Sequence, residues 1–466
     1  MSPSQTPDPV PAEPRPPRII IPGAAHESDA AAGAPRIVLP PGVERTGDAG
    51  TDGLPEYPRL RPLILMPVSD GERQLLLVTD PLGVIPGQPV LGLEALALLQ
   101  LLDGSVSIAD LTALLMRENK DLRMAGVVRD FVAELDRLLM LDSPRFEAAY
   151  REAREAWHQL EIRPAACETR SYPAEPAALR TFLAGHFEAA EAQRARDGQA
   201  VAPADARPRA LLVPHLDPRR AGPAIARAFL ELGPEQKPPL RVIVYGTGHS
   251  LMDDLFALTR KHFETPLGLV RCDTAFVDAL AARLGQAAYH GELAHRDEHS
   301  IEFQALYLRY RFGDRPLTIV PILCGGFHAL LDAGRAPRDT PFEALVSAVR
   351  ETEAALGGAT VHLAGVDFSH VGPRFGDPAI DERMRQEIEA RDHEALAAAR
   401  SGDADAWFGA IAAHQDATRI CGFSPVYAML RCAGVKDGRL LRYEPSDEED
   451  GSTVTIAAMA WDGPAA

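Results

Sequence analysis

Four short, continuous apolar runs, residues 209–214, 241–245, 317–323 and 361–366, constrain this chain more than any other feature. None shows polar alternation, so a strand made from any of them must be buried on both faces. The segments between them carry helical spacing. In 219–232 it is marked by Ile225, Ala228, Phe229 and Leu232, and 340–355 is a second such stretch. Strands alternating with helices predict an α/β domain, a mainly parallel sheet covered by helices on both faces. Two later runs, 440–443 and 454–460, predict an antiparallel pair at its end. The domain is expected over 166–462.

The chain has 466 residues, 46% of them hydrophobic. A full-size core is available, and no metal or disulfide is needed merely to fold. Lys and Arg number 48 against 66 Asp and Glu, a net charge of −18. Such a balance argues against nucleic acid and against an anionic membrane as partner. No run of about 18 apolar residues predicts a transmembrane helix. The first residues have neither a basic nor an apolar region, so no signal peptide is read. Cys167, Cys272, Cys324, Cys421 and Cys432 are scattered and form no C-x-x-C. That usage suits a reducing, cytoplasmic location and excludes a zinc ribbon.

Residues 1–55 are rich in Pro, Ala, Gly and Asp, with no aromatic before Tyr57; they predict a disordered tail. The tail repeats itself: Pro17-Arg18-Ile19-Ile20-Ile21-Pro22-Gly23 returns as Pro35-Arg36-Ile37-Val38-Leu39-Pro40-Pro41-Gly42. Three β-formers between prolines can add to an exposed sheet edge. The other reading is chance similarity within a biased composition. Residues 56–144 predict a small domain with a strand at 73–78, a turn at Asp80-Pro81-Leu82-Gly83, and helices at 93–102, 108–117 and 127–139. Ser107 is placed to cap the second helix. This order predicts a winged-helix-like unit. Its stretch LDGSVSIADL resembles the peptide-binding chaperone domains of the pyrroloquinoline-quinone D type. Because the unit is not basic, it is expected to dock a peptide or partner rather than DNA. Residues 145–165 read as a charged connecting helix.

In open α/β sheets, ligands gather at the carboxyl ends of the strands. His215 follows the first run and His249 the second, one βαβ repeat of 34 residues later. The spacing places them on adjacent strand ends. Asp367-Phe368-Ser369-His370 follows the fourth run, and Ile420-Cys421-Gly422-Phe423-Ser424-Pro425 reads as a loop entering a helix. Ser424 is expected as its N-cap and Pro425 as its first residue, with the helix start favouring a Cys421 thiolate. Two imidazoles and a thiolate suit a borderline or soft metal with a position left open. Singly, a strand-end histidine is commonly structural and a lone cysteine commonly a small core residue. His295 and His299 have i,i+4 spacing, but Arg296 breaks the H-E-x-x-H pattern. Asp297 and Glu298 read as acidic residues opening a helix.

Taken in order, Pro214-His215, Gly246-Thr247-Gly248-His249, DEHSIE (297–302), DFSHVG (367–372) and CGFSP (421–425) resemble the Memo family, whose bacterial members are called AmmeMemoRadiSam system protein B. The resemblance implies a fold similar to the class III extradiol dioxygenases, with a cysteine where those enzymes have a metal-binding carboxylate. It implies His215, His249 and Cys421 as ligands of iron(II) or copper, with His370, His299 and Asp367 as further pocket residues. Leu216-Asp217-Pro218 stands where the family has a glycine loop, and Val371 replaces an aromatic. Asp217 is either a fourth ligand or a turn residue. Three functions follow: a metal-dependent oxidoreductase with His370 or His299 as acid/base; a non-enzymatic partner of a radical S-adenosylmethionine protein and an AMMECR1-like protein; or a hydrolase with Cys421 as nucleophile.

Overall fold

The structure is a computed structural model and describes residues 37–38, 53–70, 73–120, 124–235, 239–251 and 254–463. The expected disordered tail lies outside these residues except at 37–38 and 53–55. The chain divides into two compact units, Met1–Ala153 and Arg154–Ala466.

The front unit contains an antiparallel sheet of β1 (Ile37–Val38), β2 (Ile64–Asp70), β3 (Arg73–Thr79) and β4 (Val90–Gly92), in the order β1-β4-β3-β2. The sequence reading missed β2 because Pro67 interrupts it. The strand lies at the sheet edge, where a missing N–H is tolerated. Helices Ile108–Asn119 and Met124–Arg137 follow, and Ser107 caps the first by accepting from Asp110 N–H. The helix expected over 93–102 is shorter, a 3₁₀ turn followed by Leu96–Leu99. Its end is drawn away because the Leu102 carbonyl accepts from Leu60 N–H at 2.7 Å. Leu65, Leu76, Leu91, Leu111, Val128 and Leu135 are among the residues of this unit's own core.

The large unit adds β5 (Ile162–Arg163), β6 (Ala210–Val213), β7 (Leu240–Thr247), β8 (Phe256–Leu258), β9 (His262–Phe263), β10 (Arg271–Cys272), β11 (Leu317–Cys324), β12 (Ala359–Gly365), β13 (His370–Val371), β14 (Arg439–Asp447) and β15 (Thr453–Trp461). Its main sheet runs β10-β11-β7-β12-β6-β15-β13, with β14 on β15 and β8 on β11. From β10 to β6 the neighbours are parallel, whereas β15, β13, β14 and β8 join antiparallel. The sheet is therefore mixed, with a parallel centre. Alternate residues of β6 divide its two faces. Leu211 and Val213 enter a core with helices Pro176–Arg196, Pro218–Phe229 and His299–Phe312, while Ala210 and Leu212 enter one with Pro341–Leu356 and Phe423–Ala433. Strands buried on both sides show apolar runs without alternation for this reason. Pro321 sits inside β11 at a gap, since β10 pairs with Thr318 and Ile319 and β8 with Ile322 to Cys324. Among the described residues, no helix is long and apolar enough to cross a membrane.

Candidate metal centre

Three strand ends and two helix starts meet around His215. The order β7-β12-β6 corrects the expectation that the strands of His215 and His249 are neighbours: β12 lies between them. The rings still approach to 5.1 Å between centroids, because both residues stand in the loops beyond their strands. Glycines make the space above those ends. A Cβ on Gly365 would lie 2.6 Å from the Ser300 carbonyl oxygen. One on Gly246 would lie 2.6 Å from Ser300 Oγ and Ile301 Cγ1. Without side chains there, helix His299–Phe312 sets its first turn on the ends of β7 and β12 and brings Glu298 and His299 with it.

His215 is buried. Its Nδ1 bonds the Gly365 carbonyl at 2.8 Å. Burial, with His299 and His249 adding to it, pushes the ring well below the usual histidine range. The ring is therefore neutral, Nδ1 donates, and the Nε2 lone pair points to Cys421 Sγ at 3.3 Å. His249 is held at two points by Glu298: its N–H donates to Oε2 at 2.9 Å and its Nδ1 bonds Oε1 at 3.0 Å. Burial lowers His249, but the Glu298 carboxylate outweighs it and holds the ring well above the usual value. Both histidines thus have one nitrogen tied to an oxygen acceptor and the other turned inward, the orientation metal-ligating imidazoles show.

Cys421 precedes Gly422, the N-cap of helix Phe423–Ala433, so the helix begins earlier than expected and Ser424 is not its cap. A Cβ at Gly422 would meet Val366 Cβ at 2.9 Å and the Asp367 carbonyl oxygen at 3.0 Å, which leaves no room for a capping side chain. Cys421 Sγ accepts from Asp367 N–H at 3.3 Å, and Thr247 Oγ1 donates to the Cys421 carbonyl at 3.0 Å. Burial pushes the thiol up despite the helix start, with His249 drawing it down. One ligand atom each from His215, His249 and Cys421 lie within 4.8 Å of one another. This N, N, S set fits a single borderline or soft ion.

His249, Glu298 and His299 form a second such group. Glu298 Oε1 and Oε2 already accept from Ser300 N–H and from His249 N–H and Nδ1, so ligation through Glu298 would break bonds the first group leaves intact. His299 lies 5.0 Å from the His215 ring and 4.8 Å from that of His249, and burial lowers its pKa to about 4. Asp367 Oδ1 accepts from the N–H groups of His215 and Leu216 at 3.0 and 3.1 Å, and burial raises its carboxyl to about 7.

Residues 163–460, which include all of these donors, match the family model described as Memo-like protein. The chain belongs to the Memo-like family. It is 26% identical to a MEMO1 family protein of Aquifex aeolicus over 87% of this chain and 99% of the relative. A MEMO1 family protein of Thermus thermophilus is 29% identical over 68% of this chain and 86% of the relative. One from Methanopyrus kandleri is 26% identical over 62% and 94%. The Aquifex match is too long to be confined to residues 154–466, so it reaches into the front unit.

Other expected residues in this Memo-like chain are not members of the two donor groups, although His370 feels the charge of His249 and His299 that of Asp217. His370 is on β13, with Nδ1 2.8 Å from the Phe368 carbonyl and 3.1 Å from that of Arg419. Burial lowers it to about 4. Asp217 is the N-cap of helix Pro218–Phe229, accepting from Arg219 N–H at 2.8 Å, which gives it the turn role. His295 and His299 do not share a helix face: His295 closes a 3₁₀ turn, with Nε2 on the Ala257 carbonyl at 3.0 Å, and the helix begins at His299. The sequence reading took Glu298 only as a helix-opening acid. Its cap position was legible, but its partner His249 is 49 residues away and no periodicity connects them.

Proposed function

We propose that this chain holds one iron or copper ion between His215, His249 and Cys421 and performs oxidation–reduction chemistry there. The observation that carries this reading is the convergence of two oriented imidazoles on one thiol. A bound iron(II) or copper(I) supplies one-electron chemistry with a coordination position left for a substrate. The chain's own residues orient and move protons. Gly365 and Glu298 fix the two rings, and Asp367 holds the His215 backbone and, near neutrality, can take or give a proton. His299 and His370, both neutral, are the proposed proton acceptors.

One observation favours Cys421 as the nucleophile of a hydrolase: Glu298 stands behind His249, which itself neighbours Cys421. A second imidazole also faces the thiol, with His215 Nε2 at 3.3 Å from Sγ, which a Cys–His–Glu nucleophile does not require, so the metal reading is preferred. The family resemblance adds a proposed association with a radical S-adenosylmethionine protein and an AMMECR1-like protein.

The test is elemental analysis of full-length protein purified without oxygen, alongside His249→Ala and Cys421→Ser. One iron or copper per chain is expected in the wild type, with loss in both variants and unchanged circular dichroism. No metal in the wild type after anaerobic iron(II) and copper(I) soaks would refute the proposal. Full metal content in one variant would remove that residue from the ligand set.

A further inference from the structure

The tail repeat has a counterpart in the fold. Ile37 and Val38, the centre of its second copy, form β1 on the free side of β4, with Ile37 opposite Leu91 and Val38 opposite Val90. On the other side of β4, Val78 N–H donates to the Pro89 carbonyl at 2.9 Å. In an antiparallel ladder the hydrogen-bonding residues alternate. Val90 therefore turns its N–H and C=O away from β3, toward β1. The seat is a main-chain one, centred on a single residue pair, Val38 with Val90. Pro35 and Pro40 bracket it, and neither can donate a ladder bond.

Main-chain pairing reads extended backbone and tolerates exchange among β-branched residues. The first copy, Pro17-Arg18-Ile19-Ile20-Ile21-Pro22, has the same prolines at the same spacing, with Ile20 in the place of Val38. Chain length discriminates only weakly between the copies. Val38 lies 15 residues from Gly53 and Ile20 lies 33, a difference in loop closure of about threefold.

We propose that the edge of β4 is a strand-addition site with two alternative occupants in the same chain, residues 35–40 and residues 17–22. When the nearer copy leaves, the farther one takes its register and keeps the edge covered. An uncovered edge is a template for pairing with other chains, and a spare strand guards against that.

Amide hydrogen exchange at Val90 in the full chain tests this, with the buried Leu76 amide of β3 as fold control. Ile20→Pro should leave Val90 protection nearly unchanged. Val38→Pro should lower it about fourfold, as the less favoured copy takes over. The double variant should lose it, with Leu76 unaffected in all three. Protection lost as fully in Val38→Pro as in the double variant would overturn the proposal, because the first copy would then not seat. Protection kept in the double variant, or absent from the wild type, would overturn it as well.

Discussion

Glu298 does three jobs at one position. It caps helix His299–Phe312, bonds the His249 ring and bonds the His249 backbone. Glu298→Gln keeps a carbonyl oxygen for the cap but removes the charge behind the imidazole. Metal affinity, read by competition with a chelator, should fall about 10- to 100-fold with little change in melting temperature. An unchanged affinity would reduce Glu298 to a cap. A second carboxylate shows the same economy away from the centre. Burial pushes Glu353 up, but hydrogen bonds from His362 and Arg209 outweigh it and hold it at about 2. A carboxyl depressed in the folded state stabilises above its unfolded value and loses that contribution as pH falls. The wild-type denaturation midpoint should therefore drop between pH 4.5 and 2, and Glu353→Gln should flatten the drop. Equal slopes in the two proteins would show that the pair contributes nothing there. At this scale the candidate donor group was legible, because His215, His249 and Cys421 each stand beside a readable strand end or helix start. Their orienting partners were not, since the Gly365 carbonyl leaves no mark in a side-chain pattern.

Secondary-structure elements were read more securely than their order. The four apolar runs lie within two residues of β6, β7, β11 and β12. What failed was adjacency: β12 is made last of the four and inserts between β6 and β7. Burial on both faces makes strands of this kind look alike, so the sequence carries no label for which pairs with which. The helix start after Cys421 failed for a local reason, the crowding of Gly422 against Val366 and Asp367. Gly422→Ala should push helix Phe423–Ala433 and Cys421 off the end of β12. We expect a loss of about 1–3 kcal/mol in stability, as overpacking usually costs, together with weaker metal retention. Denaturant titration and metal analysis of the same sample check both. A variant that loses stability yet keeps its metal would show that the loop adjusts independently of the helix.

The two units of the whole molecule differ in their match to the family: the Memo-like model covers residues 163–460, which lie inside the second unit. A fragment of residues 143–466 should therefore fold alone and retain its metal stoichiometry. The cut falls before helix Pro144–His158 because Trp157 Nε1 donates to the Glu292 carbonyl at 3.1 Å and His158 bonds the Glu292 carboxylate. An unfolded or metal-free fragment, beside a loaded full-length chain, would show that the front unit is needed. The position of β15 also has a meaning in time. β6, which ends two residues before His215, emerges first among the strands of the main sheet, yet its neighbours are β12 and β15, made 149 and 243 residues later. At ordinary rates of synthesis that last interval is about ten to fifty seconds. During it the first-made donor waits beyond a strand with an open flank, and Cys421 too arrives near the end. The three donors of the proposed centre come together only once the chain is nearly complete, so an ion that uses all three would enter a finished chain.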